Sequence, residues 1–226
     1  MFWIGIFRRW NNRFKILDRY KQFYLTKPIN VDPLADREYW QIIWDNFQKG
    51  DRDAFQAIYD EFVDALFSYG SRITSHRALL EDAIQDVFID VYSYGSVLRK
   101  PESLEYYLFK TLKRIIYRKL KEKHRFSHPE EMMENFDLTF QIEEIDREIS
   151  DEQLKQLQTE LAKLDSKKRE LLFLKFNSGL TYSEMGKLLN LNPDAVKKQV
   201  YRLLKNLRGK MGSRSLNLFL LLSKKE

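Results

Sequence analysis

TYSEMGKLLNLNPDAVKKQVYRLLKNLR, residues 181–208, reads as two helices and the turn between them. Thr181-Tyr182-Ser183-Glu184 fits a capping box. The Thr181 hydroxyl can accept from the Glu184 amide, and the Glu184 carboxylate can accept from the Thr181 amide. Leu180 and Met185 flank the cap at the two positions of a hydrophobic staple. Met185, Leu188 and Leu189 form the apolar side of a short helix, and Asn190-Leu191-Asn192 is a turn. Asn192 is a good N-cap, and Pro193 suits the first position of the next helix. That helix runs to about Arg208. It turns Val196, Val200, Leu203, Leu204 and Leu207 inward and Lys197, Lys198, Gln199, Tyr201, Arg202, Lys205 and Arg208 outward. A short capped helix, a tight turn and a second helix with a basic outer face make a helix-turn-helix. Residues near the start of the second helix reach base edges, and its lysines and arginines grip phosphates. An ordinary helical hairpin with a solvated lysine face is the alternative. The box, staple, turn, Asn-Pro start and basic face together favour DNA.

The rest of the chain agrees with a helical, nucleic-acid-facing protein. It has 226 residues, enough for two compact domains, and a net charge of +6. Cysteine is absent, which excludes disulfides, thiolate zinc sites and cysteine nucleophiles. The apolar runs at residues 2–7 and 216–222 fall far short of the roughly 20 residues a spanning helix needs. Arginines follow Phe7 with no small-residue cleavage site, so a signal peptide is not expected. No Ser-His-Asp order, phosphate loop or dinucleotide fingerprint is present, so no catalytic residue, metal site or cofactor is assigned. His124 and His128 are four apart, but Pro129 and the lack of a further ligand argue against a metal.

Composition divides the chain into five parts. Residues 1–36 are a basic amphipathic extension in which Trp3, Phe7, Trp10, Phe14 and Leu17 share a stripe. Residues 37–125 form a four-helix domain. Its first helix carries Tyr39, Ile43 and Phe47 and ends at Gly50, and Asp51 or Asp53 caps the second. The second is striped by Phe55, Ile58, Tyr59, Phe62, Val63, Leu66 and Phe67. The third carries Leu80, Ala83, Ile84, Val87, Phe88 and Val91 and stops near Gly95. Ser103 caps the fourth, which buries Leu104, Tyr107, Leu108, Leu112, Ile115 and Ile116. Residues 126–151 are an acidic interdomain linker, residues 152–211 carry the helix-turn-helix, and residues 212–226 are an apolar tail.

Two further patterns carry chemistry. Asp82, Asp86 and Asp90 recur every four residues, so they share a helix face and need a basic partner to offset their repulsion. Magnesium held for a nuclease, or plain solvation, are the other readings of that face. In the fourth helix Tyr106, Tyr107 and Phe109 precede Lys110, Lys113, Arg114, Arg118, Lys119, Lys121, Lys123 and Arg125. Aromatic platforms beside a basic track suit unpaired bases and their backbone.

These segments resemble extracytoplasmic-function sigma factors. Gly50-Asp51, Ala54-Phe55 and Ile58-Tyr59 are similar to the opening of sigma region 2. Glu81–Tyr92 resembles its best-marked segment, and Tyr107-Leu108 with the basic run to Arg125 resembles the promoter-melting segment. Leu161–Leu164, Arg169–Phe176, Gly179–Met185, Ala195-Val196-Lys197 and Arg202 resemble region 4. The pattern departs at Asp165, where proline is usual, and at Gln199, where arginine is common. Tyr107, Thr111 and Arg114 stand where tryptophan, isoleucine and asparagine are common.

The resemblance implies an all-α cytoplasmic transcription initiation factor of two helical domains. Its partners are promoter DNA and core RNA polymerase, through the largest-subunit clamp helices and the flap of the second-largest subunit. It implies polymerase docking through Asp82, Gln85, Asp86, Ile89 and Asp90. It implies minus-10 contacts from Tyr94, Arg99, Lys100, Lys110, Lys113, Arg114 and Arg118. Minus-35 contacts would come from Thr181, Tyr182, Asn192, Asp194, Ala195, Lys197, Lys198, Gln199, Tyr201 and Arg202. The acidic linker would thread near the basic active-site path of polymerase, though a solvated spacer fits its composition equally. Residues 1–36 lie outside the resemblance. A membrane surface, a membrane-bound anti-sigma protein, or translation starting downstream are the readings left open. A stand-alone helix-turn-helix regulator is the alternative for the whole chain.

Overall fold

The computed structural model describes residues 33–95, 97, 100–123, 136–138 and 151–225. Over these residues the chain is helical, with no strand. The elements are α1 (Pro33–Gln48), α2 (Arg52–Ser71), α3 (Arg77–Tyr94), α4 (Leu104–Lys123), α5 (Asp151–Ala162), α6 (Ser166–Asn177), α7 (Tyr182–Leu189) and α8 (Pro193–Lys225). Helices α1–α4 form one bundle and α5–α8 a second.

In the first bundle the apolar stripes read from the sequence meet. Ile58, Leu66, Ala83, Ile84, Val87, Leu108, Leu112, Ile115 and Ile116 are all fully buried. Trp44 of α1 is buried as well and sits edge-on to Phe47 and Tyr107. Local chemistry sets the boundaries. Gly50, at φ 92°, takes a conformation open to glycine and strained for other residues. Asp51 then caps α2, accepting from the amides of Asp53 at 2.9 Å and Ala54 at 3.4 Å. Ser103 caps α4 by accepting from the Tyr106 amide at 3.2 Å. Gly95 is the C-cap of α3, and a Cβ there would lie 2.1 Å from the Phe47 ring, so the close approach of α1 requires glycine.

In the second bundle Leu157, Leu161, Leu172, Leu174, Met185 and Val196 are buried together. Asp165, where the sequence pattern favours proline, caps α6 by accepting from the Lys168 amide at 2.8 Å, so the start of the helix is still defined. The helix ending at Arg208 in the sequence reading instead continues to Lys225. No proline interrupts residues 209–225, and single glycines slow a helix without stopping it.

The two bundles touch. Only Phe136, Asp137 and Leu138 of the acidic linker are described, and Phe136 and Leu138 are buried. Phe136 donates its amide to the Ser166 Oγ at 2.7 Å, and Asp137 donates its amide to the Arg72 carbonyl at 2.9 Å. These three residues are therefore pinned between α2 and α6, unlike a solvated spacer. Ile142, Ile145 and Ile149, whose spacing in the linker would suit a short helix, the extension before residue 33, and His124 and His128 lie outside the described residues.

At the α7–α8 turn backbone packs closely on backbone. Asn190 is left-handed at φ 55°, and a Cβ on Gly186 would meet the Leu191 carbonyl oxygen at 2.6 Å. Backbone there cannot move aside cheaply, so Gly186→Ala should cost about 1–3 kcal/mol. Urea unfolding checks this; an unchanged midpoint would show that the turn tolerates a side chain.

Candidate nucleic-acid interface

The helix-turn-helix forms from the interactions its sequence allows. The Thr181 Oγ1 accepts from the Glu184 amide at 3.3 Å, and the Thr181 amide donates to the Glu184 Oε2 at 2.8 Å. Leu180 and Met185 are both buried under the cap. Asn192 accepts from the Asp194 amide at 2.9 Å and starts α8. Val196, Val200, Leu203 and Leu207 of α8 are buried and Leu204 is half-buried, while Asn192, Asp194, Lys197, Lys198, Tyr201 and Arg202 are exposed. Ala195 and Gln199 are half-buried at the edge of that face. Thr181 is exposed, and half-buried Tyr182 lies under Lys175, whose Nζ is 5.0 Å from the ring centre. Among the described residues no side chain covers the start of α8, whose outer face carries Lys197, Lys198 and Arg202.

A second basic face lies on α4. Lys110, Arg114, Arg118 and Lys121 are exposed and recur at three- and four-residue spacing, which places them in one stripe. Tyr106 and Tyr107 are half-buried beside it, with Lys110 5.5 Å from the Tyr106 ring centre. Burial pushes the Tyr107 hydroxyl pKa up, so it stays a neutral donor. Tyr94, at the end of α3, is 56% exposed. Arg99 lies outside the described residues. Lys100 is tied to Asp45 of α1 at 2.6 Å.

The loop between α3 and α4 is anchored by a row on α1 that the sequence reading passed over. Gln48 donates to the Gly95 carbonyl at 2.8 Å, Asp45 holds Lys100, and Gln41 donates to the Pro101 carbonyl at 2.6 Å. The signal was present as polar residues at positions 41, 45 and 48, a one-face spacing interleaved with Trp44 and Phe47.

The acidic face of α3 is arranged around α4. Asp82, Gln85, Asp86, Ile89 and Asp90 are exposed or half-buried, and Ile89 is 37% exposed. The basic partner the spacing calls for is internal. Lys119 lies 3.1 Å from Asp82 and 2.9 Å from Asp86, with Arg118 at 3.8 Å from Asp86. Burial works against the Lys119 ammonium, but its hydrogen bonds to Asp86 and Asp82 outweigh that and raise its pKa. Among the described residues no cluster of acids and histidines could hold a metal ion.

Lys113 does not join the basic stripe. It is buried, and its Nζ lies 2.7 Å from the Glu170 Oε1 of α6. Tyr69 of α2 donates to the same Glu170 oxygen at 2.5 Å. Burial, then the charge of Glu170, holds the Tyr69 hydroxyl pKa well above its ordinary value. The sequence reading missed this cluster because its members are 57 and 101 residues apart.

The arrangement defines a DNA-binding protein with a helix-turn-helix in one helical domain and a basic, aromatic-flanked helix in the other. Residues 58–126 match the family described as Sigma-70 region 2, and residues 154–207 match Sigma-70, region 4. Together the matches span more than half of the 226 residues, and the chain belongs to the sigma-70 family of transcription initiation factors. As a sigma factor it works with core RNA polymerase and promoter DNA. No curated protein matches it significantly. Among solved structures it is similar to CnrH in complex with the cytosolic domain of CnrY. The TM-score is 0.47 and the identity 17%, over 80% of this chain and 96% of that one. It is also similar to the sigma factor RpoE in complex with the anti-sigma factor NepR from Bartonella quintana. There the TM-score is 0.49 and the identity 19%, over 70% of this chain and 97% of that one.

Glu184 gives this site a pH dependence. Burial raises its pKa, but the Thr181 hydroxyl and amide, Arg37 and Ser103 outweigh it and hold it below the ordinary 4.5. A depressed carboxylate contributes stability above its unfolded pKa and loses it as pH falls through the folded value. Glu184→Gln should therefore be less stable than wild type at neutral pH, with the gap closing on acidification below about 4.5. Thr181→Ala should cost about 1 kcal/mol from the lost cap. Denaturant midpoints measured across pH check both; a gap that persists at low pH would remove the carboxylate's role.

Proposed function

We propose that this chain is an extracytoplasmic-function sigma factor working in the cytoplasm, with no catalysis of its own. The observation that carries this reading is a pair of uncovered basic faces, one on α8 and one on α4, in a chain whose family matches are regions 2 and 4. RNA synthesis belongs to the polymerase, and the chain supplies promoter choice and opening.

In this reading the acidic and apolar ridge Asp82, Gln85, Asp86, Ile89 and Asp90 docks on the clamp helices of the largest polymerase subunit. Lys119 and Arg118 neutralise part of that ridge and tie it to α4, so docking and strand capture share one rigid unit. Lys110, Arg114 and Arg118 track the backbone of the melted minus-10 strand. Tyr94, Arg99 and Lys100, on the loop held by α1, frame a flipped base. The start of α8 enters the major groove of the minus-35 duplex, where Asn192, Asp194, Ala195, Lys198 and Gln199 face base edges. Lys197 and Arg202 grip phosphates, and Thr181, Tyr182 and Tyr201 border the groove. The flap of the second-largest subunit and an anti-sigma protein complete the partner set.

Permanganate footprinting tests this reading. With core polymerase and this chain on genomic promoter fragments, thymines around minus-10 should become reactive, and they should stay protected with either component alone. Reactivity that ignores the chain would overturn the proposal. The Lys197→Ala/Arg202→Ala variant should bind minus-35 duplex more weakly, with the slope of log affinity against log salt reduced by about 2. An unchanged slope would move the phosphate contacts elsewhere.

A further inference from the structure

We infer that Gln41, Asp45 and Gln48 of α1 are positioning residues for minus-10 strand capture. They set the two feet of the α3–α4 loop, and Lys100 acts there as a strut to Asp45 and not as a contact to DNA. This rests on the reading of that loop as the frame for a flipped base.

The row stands on a firm base. Trp44 and Phe47 of α1 are buried, Trp40 packs on Phe62 with ring centres 5.0 Å apart, and Phe47 packs on Phe55 at 5.6 Å. Beside that aromatic face, three polar side chains meet the loop at both ends. At the first foot the Gln48 Nε2 donates to the Gly95 carbonyl at 2.8 Å. At the second foot the Gln41 Nε2 donates to the carbonyls of Pro101 at 2.6 Å and Glu102 at 3.3 Å, just before the Ser103 cap of α4. Beside the second foot the Lys100 Nζ lies 2.6 Å from the Asp45 Oδ2.

The exposure of these contacts separates positioning from stability. The Lys100 and Asp45 side chains are 34% and 45% exposed. An ion pair so open to water adds little to folding, and its effect is on the loop. Extruding a base costs unstacking energy, and a frame ordered beforehand adds no ordering entropy of its own at that moment. Selecting one base over another needs the frame held to within about 0.5 Å, so a loosened foot lowers discrimination as well as affinity. The pair also cancels charge. An unpaired Asp45 would repel the strand, and an unpaired Lys100 would attract phosphates without regard to base. Lys110 and Arg114, exposed on α4, are left to follow the backbone.

Fork DNA tests this with core polymerase and the full chain. The fork is cut from a promoter opened in the permanganate assay, with its minus-10 non-template strand unpaired and each position varied in turn. Asp45→Ala, Lys100→Ala and the double variant should each weaken fork binding about five- to tenfold, the double no more than the singles, because the two residues act as one unit. Discrimination should collapse at one base position and persist at the others. Gln41→Ala/Gln48→Ala should show its loss at the same position. The charge swap Asp45→Lys/Lys100→Asp should recover binding to within about twofold. Minus-35 duplex binding and the urea midpoint should stay unchanged throughout. If Lys100 instead grips a phosphate, Lys100→Ala alone weakens binding at every sequence and lowers the salt slope by about 1, and the swap is the worst variant. That pattern would overturn the proposal, as would losses shared by the minus-35 duplex and the urea midpoint, which a general folding defect produces.

A second arm needs neither DNA nor polymerase. The chain has no cysteine, so Val97→Cys, at a loop position 80% exposed, takes a single spin label. The label's spectrum should narrow when Asp45→Ala or Gln41→Ala/Gln48→Ala is added, and broaden again in the charge swap. A spectrum indifferent to these substitutions would end the positioning role. Absent fork binding by the wild-type holoenzyme would end the minus-10 reading, while the spectrum would still decide whether α1 holds the loop.

Discussion

One buried carboxylate joins the two halves of this molecule. Glu170 sits among aromatic rings and is satisfied by a tyrosine hydroxyl and a lysine from the opposite domain. An ionised carboxylate taken out of water costs several kcal/mol unless it is paired and hydrogen-bonded, and the second domain contains no described partner that does this. Phe136 depends on this arrangement too, since it is buried by rings of both domains.

Within each domain the balance is simpler. Continuous apolar stripes bury themselves, and polar residues at the ends of helices fix where the helices start. Asp51, Ser103, Asp165, Thr181 and Asn192 each accept a backbone amide at a helix start. This leaves Lys110 and Arg114 on α4 and Lys197, Lys198 and Arg202 on α8 outside the packed cores, where charge is tolerated. The α3 aspartates show how a row of like charges is made tolerable. Lys119 lies between two of them, so their mutual repulsion is reduced without covering Ile89.

The elements legible in the sequence were those fixed by neighbours within a few residues. The Thr181–Glu184 box, the Leu180–Met185 staple and the Asn192-Pro193 start are local, and they appear as read. The α2, α3 and α4 stripes were legible because a period near 3.6 needs no tertiary information. Lys113 was misplaced because a lysine in a basic run looks like its neighbours; its burial is set by Glu170, 57 residues away. Phe136 falls in the stretch read as an acidic interdomain linker, since the surrounding acids dominate its composition. The α1 row at Gln41, Asp45 and Gln48 was hidden for a related reason: its partners are loop carbonyls and Lys100, which no periodicity encodes.

The central claim is that this chain gives promoter specificity to core polymerase, and run-off transcription tests it most directly. Purified core enzyme would be given genomic promoter fragments with and without the full chain. The account predicts discrete transcripts that depend on the chain. Tight duplex binding with neither transcripts nor polymerase association would contradict it.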